Sequence, residues 1–331
     1  MCPGQLDHEL WRGMEKQKHI IETQQFDLPR IERLFEQTRR VQRSLETGNR
    51  HEFGYSLKGR SMISLFYEPS TRTRISFERA AQLCGMNVCG TENAGEFSSA
   101  AKGETLEDSI RTLTGYYPDV IVLRHKETGA AQRAADTIDR YQLPVHVING
   151  GDGTGQHPTQ ALLDLYTIWE SRKERIENVH VVMGGDLAHG RTVHSLAYVL
   201  AKYSTVHFTF VAPTELQMKK EITDYLTRHG IRYTLETDPK TVLRDADVVY
   251  WTRLQKERLD PKLREDIERH GMYQIGQSEV DMMKPDALIL HPLPRVGEIS
   301  TEIDDDPRAQ YFKQAQNGLY VRMALLLELL G

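Results

Sequence analysis

Short, almost unbroken apolar runs constrain this chain more than any other feature. Residues 61–67 read SMISLFY, and further short strands are predicted at 120–123, 145–148, 180–183, 206–211, 232–235, 248–251 and 288–290. A strand with one wet face alternates apolar and polar side chains, whereas a strand covered on both faces does not have to. Between the runs the apolar period lengthens to that of a helix. From Asp27 to Leu45 the positions Ile31, Leu34, Phe35, Thr38, Val41 and Leu45 fall on one helical face. Asp27 suits the N-cap, Pro29 the first turn and Gly48 the stop. After SMISLFY, Phe77, Ala80, Ala81 and Cys84 share a face and Gly85 ends it. Further helices are predicted at 104–114, 129–140, 158–172 and 308–330. Repeated strand–helix units predict an α/β fold with parallel sheets flanked by helices.

The units fall into two series, before and after the 158–172 helix, and 331 residues suit two domains. The expected organisation is two lobes, each a parallel sheet flanked by helices. The first lobe is 1–156 plus 308–331, the connecting helix 157–172, and the second lobe 173–307. The last helix ends in ALLLELL, must bury that face, and is expected to pack back on the first lobe. Hydrophobic residues at 39% are too many for a disordered chain. A net charge of -5 gives no global attraction for nucleic acid, so an anion site has to be built locally from Arg and Lys. The three cysteines, Cys2, Cys84 and Cys89, are too few for a disulfide framework and read as ordinary thiols of a reducing compartment. Residues 1–19 have no apolar core, no run of eighteen apolar residues occurs anywhere, and a cytoplasmic, membrane-independent chain is expected.

In open parallel sheets, ligands sit beyond the carboxyl ends of the strands. Directly after SMISLFY comes Glu68-Pro69-Ser70-Thr71-Arg72-Thr73-Arg74, which opens a helix. A helix N-terminus offers unpaired N–H groups and partial positive charge, to which hydroxyls and an Arg fork add phosphate donors. Two readings are open from chemistry alone: a phosphate cradle, or a cap beside surface charges. Gly150–Gly155 (GGDGTG) lacks the Gly-Lys-Ser/Thr of a P-loop, and no GxGxxG follows any strand. Arg124 and His125 close the run DVIVL, where a surface charge is the bland alternative. His157-Pro158-Thr159-Gln160 starts a helix, where His157 could be a cap or a packed side chain. His291-Pro292-Leu293-Pro294-Arg295 follows the run LIL, and its prolines remove N–H donors and leave carbonyls to face a ligand.

STRTR after a strand, followed in order by RH, HPTQ and HPLPR, resembles the transcarbamoylase family over roughly residues 57–330. The resemblance implies that Ser70, Thr71, Arg72 and Thr73 hold the phosphate of carbamoyl phosphate. It places Thr73, Arg124 and His157 around the carbonyl oxygen, and Gln160 with the Pro292 and Leu293 carbonyls on the NH2 group. Donors aimed at a developing oxyanion stabilise a tetrahedral intermediate without any side-chain nucleophile. No cofactor and no metal are implied.

The second substrate is read from the later series. Arg191, after HVVMGG, and Arg253 with Gln255, after VVYW, suit two carboxylates. These stretches resemble the aspartate-binding segments of the family's aspartate-specific members, which implies transfer to L-aspartate, giving N-carbamoyl-L-aspartate for pyrimidine biosynthesis. Ornithine-specific members would carry a Ser-Met-Gly loop and a Cys in place of Pro292. By the same resemblance Ser98 and Lys102 come from a neighbouring subunit, Lys102 also serving catalysis and aspartate binding, so a homotrimer with shared sites is implied. By analogy with the family Glu68 and Arg258 anchor arginines and stabilise the closed form of the two lobes, a plain surface ion pair being the alternative. A regulatory chain or another enzyme of the pathway is a conceivable partner. Departures from the pattern are Ala188, Ala101 and Gly297, where some members carry Lys, a basic residue and Asp. The rival readings are a transcarbamoylase for another amine, a silent homologue serving assembly, and a dinucleotide-binding dehydrogenase, against which the missing GxGxxG argues. The expectation common to all these roles is that the guanidinium and hydroxyl groups of both lobes serve one cleft.

Overall fold

The computed structural model describes residues 18–49, 51–94, 103–254, 260–270 and 273–331. The chain divides into two compact units, Met1–Leu162 with Asn317–Gly331, and Leu163–Gln316. No described helix is long and apolar enough to cross a membrane.

The first unit is built on a four-stranded sheet of β1 (Ser61–Phe66), β2 (Asn87–Thr91), β3 (Val120–His125) and β4 (His146–Asp152). Its order is β2-β1-β3-β4 and every pairing is parallel. β3 is buried at every position, the apolar run Val120–Leu123 and the polar Arg124 and His125 that end it alike. On one face Ile63, Leu65, Ile121, Leu123 and Val147 join Ile110, Ala134 and Ile138 in a core cluster. Each fully buried Ile or Leu contributes roughly 1.5–3 kcal/mol to folding. The helices Leu28–Glu46, Thr71–Leu83, Leu106–Thr114 and Ala130–Arg140 lie within a few residues of their predicted bounds. Asp27 caps the first, accepting from Arg30 N at 2.8 Å, and Thr105 caps the third. Ile20 bridges to Ile148 in parallel, so the segment before the first helix extends the sheet beyond β4.

β2 was not expected from the sequence. Its pattern NVCGT is mostly exposed, and an edge strand has no need of a two-sided apolar run. The C-terminal helix Tyr311–Leu330 belongs to the first unit from Asn317 on, with Val321, Met323, Ala324, Leu325 and Leu326 fully buried. Two charges in this apolar helix have specific partners. Glu328 accepts from Arg30 Nε at 2.6 Å, and Arg322 donates to Ser76 Oγ at 2.9 Å.

The second unit holds a five-stranded parallel sheet of β5 (His180–Gly184), β6 (His207–Val211), β7 (Arg232–Glu236), β8 (Val248–Trp251) and β9 (Leu288–Leu290). The order is β7-β6-β5-β8-β9. Helices Arg191–Leu200, Lys220–Arg228 and Pro261–His270 go beyond the spacing expectations, which placed only strands here. The first is buried at every position from Val193 to Leu200, so it shows no polar stripe to mark it as a helix.

Candidate functional site

The strand orders locate the crevices. In the first unit the chain leaves β1 for β2 on one side and reaches β3 on the other. The switch point therefore lies beyond the carboxyl ends of β1 and β3, where ligands bind in such sheets. Ser70–Thr73 follow β1 and Arg124 ends β3, so two of the predicted segments meet at this point.

The helix Thr71–Leu83 begins without a side-chain cap. Ser70 is extended, its own N–H donates to Glu92 Oε1 at 3.2 Å, and its hydroxyl makes no capping bond. First-turn N–H groups left this way attract an anion. The two arginines of STRTR divide the work. Arg74 is paired with Glu78 at 3.5 Å and with Glu92 at 3.2 Å. Arg72 has no carboxylate partner among the described residues, and partial burial alone pulls its guanidinium below the ordinary value. Arg72 is nonetheless exposed, and a cation without a carboxylate partner beside an uncapped helix start can receive an anionic oxygen.

Thr73 and His157 are both buried, and Thr73 Oγ1 lies 3.4 Å from His157 Nε2. His157 is delivered by the loop after β4. Asp152 fixes that loop by accepting from Gly129 N at 2.9 Å, Gln156 N at 3.0 Å and Asn149 Nδ2 at 3.2 Å. The His157 carbonyl then accepts from Gln160 N and Ala161 N, starting the helix Pro158–Ser171 with Gln160 half-buried on its first turn. His157 is thus a packed histidine in contact with Thr73, not a surface cap.

Arg124 is 8% exposed, which removes the surface-charge alternative. Its fork is aimed by two acceptors, Gly150 O at 3.1 Å and Glu68 Oε1 at 2.6 Å. Glu68, expected to anchor an arginine, therefore anchors this one. Arg322 was missed by sequence reasoning. It is 3% exposed, donates to Ser76 and to Thr159 Oγ1 at 3.4 Å, and so ties together the two helices that begin with Thr71 and Pro158. A lone arginine inside an otherwise apolar helix is the signal that could have found it.

In the second unit the switch point lies between β5 and β8, which pair directly. Thr252 N and Oγ1 both donate to Gly184 O, at 2.9 and 3.1 Å. Gly185 has φ +108, and a Cβ there would lie 2.3 Å from Thr252 O, so glycine is required for this approach. The following loop is held on every side. Asp186 accepts from His189 N at 3.0 Å, Leu187 and Ala188 donate to Leu216 O, and His194 Nε2 donates to Leu187 O at 2.7 Å. This loop delivers Arg191, half-buried, as the first residue of the helix Arg191–Leu200. Arg253 is exposed two residues beyond β8. Both arginines thus leave the carboxyl ends of neighbouring strands. Pro292 and Leu293, both half-buried, follow β9 in a turn that His291 and Glu298 brace. Ser98, Lys102, Gln255 and Arg258 lie outside the described residues, as do Ala101 and Cys2.

Comparison with known proteins covers both units. A family model described as "Aspartate/ornithine carbamoyltransferase, carbamoyl-P binding domain" matches residues 18–170. One described as "Aspartate/ornithine carbamoyltransferase, Asp/Orn binding domain" matches residues 177–329. The chain is 52% identical over 312 residues to "Aspartate carbamoyltransferase 1, chloroplastic" of Pisum sativum, covering 94% of this chain and 78% of that protein. It is similar to the catalytic subunit of M. jannaschii aspartate transcarbamoylase, with TM-score 0.84 and 41% identity over 95% of this chain and 98% of the other. It is also similar to Trypanosoma cruzi aspartate transcarbamoylase in complex with carbamoyl phosphate and aspartate, with TM-score 0.86 and 36% identity over 96% of this chain and 98% of the other.

Proposed function

This chain belongs to the aspartate/ornithine carbamoyltransferase family, and we infer from that premise that it transfers the carbamoyl group of carbamoyl phosphate to the α-amino group of L-aspartate, giving N-carbamoyl-L-aspartate and phosphate. The structural observation that carries this reading is Arg72, a guanidinium with no carboxylate partner among the described residues, set at an uncapped helix start directly after β1.

In the proposed mechanism Ser70, Thr71, Arg72 and Thr73 hold the phosphate. Thr73, Arg124 and His157 surround the carbonyl oxygen, and Gln160 with the Pro292 and Leu293 carbonyls holds the NH2 group. Arg191, Arg253 and Gln255 take the two carboxylates of aspartate. The amine lone pair forms the new C–N bond as the carbonyl π pair moves onto oxygen. Thr73, Arg124 and His157 stabilise that oxyanion, an effect worth several kcal/mol for such donors. Collapse breaks the bond to the phosphate oxygen, which leaves with the electron pair and ends with the amine proton. Atoms and charge balance without a further reagent. Positioning of the two substrates supplies much of the remaining acceleration.

The proposal extends to assembly and location. Ser98 and Lys102 act in a neighbouring subunit's site, with Lys102 serving both aspartate binding and catalysis, so the working particle is a homotrimer. It operates in the cytoplasm, in keeping with the free thiols of Cys84 and Cys89. Sedimentation tests the trimer, and a heavier particle in a native extract would reveal an added regulatory chain. Restored activity on mixing Arg72→Ala with Lys102→Ala chains tests the shared site, and cell fractionation the location. The decisive assay pairs carbamoyl phosphate with a panel of amines. Aspartate should be strongly preferred, and preference for a cationic amine such as ornithine would overturn the reading. A compound joining a phosphonate to a dicarboxylate should bind far better than either part, because it draws on both arginine sets.

A further inference from the structure

We propose that His291 is a positioning residue for the carbamoyl NH2 group, acting through the turn that carries the Pro292 and Leu293 carbonyls; this rests on the assignment of those two carbonyls above. Leu293 has φ +52, a left-handed conformation that a branched side chain rarely adopts. Such a backbone persists only where its surroundings over-determine it. The surroundings here are polar, buried and fully specified. Leu293 N donates to His291 Nδ1 at 2.8 Å. A backbone N–H can only donate, so Nδ1 must be the unprotonated nitrogen. Nε2 then carries the hydrogen and donates to Glu298 Oε1 at 2.8 Å. Glu298 Oε2 accepts from Val296 N at 2.9 Å, closing the loop from its other end. Burial alone would raise the Glu298 carboxyl, but the hydrogen bonds from His291 and Val296 outweigh it and hold the group ionised.

The histidine is itself fixed to the body of the second unit. His291 N donates to Gln314 Oε1 at 2.9 Å, and Gln314 Nε2 donates to Asp164 Oδ1 at 2.6 Å. Asp164 Oδ2 accepts from the Tyr250 hydroxyl at 2.8 Å. His291, Gln314, Asp164 and Tyr250 are all at most 2% exposed. Tyr250 lies inside β8, three residues before Arg253. A continuous buried chain of side chains therefore registers the turn after β9 against the strand that presents Arg253. Buried networks of this kind specify one arrangement when every member is satisfied. A turn held this way presents two carbonyls in one geometry, which the NH2 group of the donor requires and the phosphate group does not.

The test separates the two ring nitrogens. In His291→Asn the amide oxygen can stand where Nδ1 accepts, keeping the Leu293 bond. In His291→Gln the amide nitrogen can reach the Nε2 position, keeping the Glu298 bond and losing the turn. The expected result is a rise of about tenfold in the carbamoyl phosphate KM for His291→Gln, with kcat lowered by a similar factor. His291→Asn should recover most of this loss. Binding of inorganic phosphate, measured by calorimetry, should be unchanged in both. Equal kinetic losses in the two variants, scaling with their melting temperatures, would mean a merely structural role and overturn the proposal. Should His291→Gln fail to fold, Glu298→Gln serves instead. It keeps the side-chain shape while loosening the Val296 contact, so a selective rise in carbamoyl phosphate KM is expected and wild-type kinetics overturn the proposal. Arg72→Ala is the control for the underlying reading: if it leaves phosphate binding intact, the site assignment fails, whereas a normal response there with indistinguishable His291 variants removes the positioning role alone.

Discussion

Thr73 Oγ1 and His157 Nε2 stand 3.4 Å apart, both buried, although 84 residues separate them in the chain. The contact joins the start of the helix after β1 to the start of the helix after β4. In the proposed mechanism both groups act on one atom, the carbonyl oxygen that gains charge. Thr73→Val and His157→Ala should each lower kcat by about 10²–10³-fold. The double variant should lose less than the product of the two, because they serve one oxygen. Steady-state kinetics with saturating aspartate checks both statements.

Arg72 and Arg74 make a matched pair of opposite outcomes. Arg72→Ala should abolish measurable phosphate binding by calorimetry and leave the melting temperature unchanged, since no ion pair is lost. Arg72→Lys should restore only part of it, because a point charge replaces a two-toothed fork. Arg74→Ala breaks the contacts to Glu78 and Glu92, so its effect should appear in stability, at about 1 kcal/mol or less for such partly exposed pairs.

Arg191→Ala and Arg253→Ala should raise the aspartate KM by about 10–100-fold each, the loss expected for a charged hydrogen-bonded partner. Phosphate binding should be unchanged, because the cradle lies in the other unit. Equal loss of phosphate affinity in these variants would refute the division of substrates between the units.

Acid should destabilise the protein through its buried histidines. Burial lowers both His19 and His146 below the ordinary 6.5, in His19 against the opposing pull of Asp139. His146 Nδ1 donates to Lys18 O at 2.5 Å, and His19 Nδ1 accepts from Val147 N at 2.9 Å, so both pin the segment that extends the first sheet. A depressed folded-state value means the unfolded chain takes up protons first. The stability is therefore complete above about pH 6.5 and is lost as pH falls through the lower folded values. Melting temperature against pH should be level above that point and fall below it, and replacing both histidines by Asn should reduce the slope. A wild-type profile that stays level to pH 5 would contradict this.

Gly184→Ala should be destabilising by about 1–3 kcal/mol in chemical denaturation. A Cβ at this position would stand 2.2 Å from Trp251 Cζ3, a fully buried ring that cannot give way cheaply. Because the same contact aligns β5 with β8, aspartate KM should rise as well.

Much of the fold was legible because a parallel strand buried on both faces announces itself. β1, β3 and β8 are runs of apolar residues and occupy nearly the expected bounds. β2 was not legible, because its edge position leaves it half-wet and its side chains carry no pattern. The helix Arg191–Leu200 escaped for the opposite reason, being buried nearly all round. At the site, residue types were legible from motifs but their partners were not. STRTR offers two equivalent arginines, and nothing in five letters says that Arg74 is paired with Glu92 while Arg72 has no carboxylate partner among the described residues.

The sequence by itself determined the parallel α/β architecture, the return of the apolar last helix to the first unit, and the donor set that follows each strand. These are properties of local pattern: period, burial on both faces, and helix starts rich in hydroxyls and guanidinium. Only the tertiary structure decided the strand orders β2-β1-β3-β4 and β7-β6-β5-β8-β9, and with them where each crevice opens. It also decided that Glu68 aims Arg124, that Arg322 ties two helix starts, and that Gln314 and Asp164 hold the turn after β9. Pairings across 23 to 246 residues depend on which surfaces meet when the chain buries its apolar faces, and local periodicity carries no record of that choice.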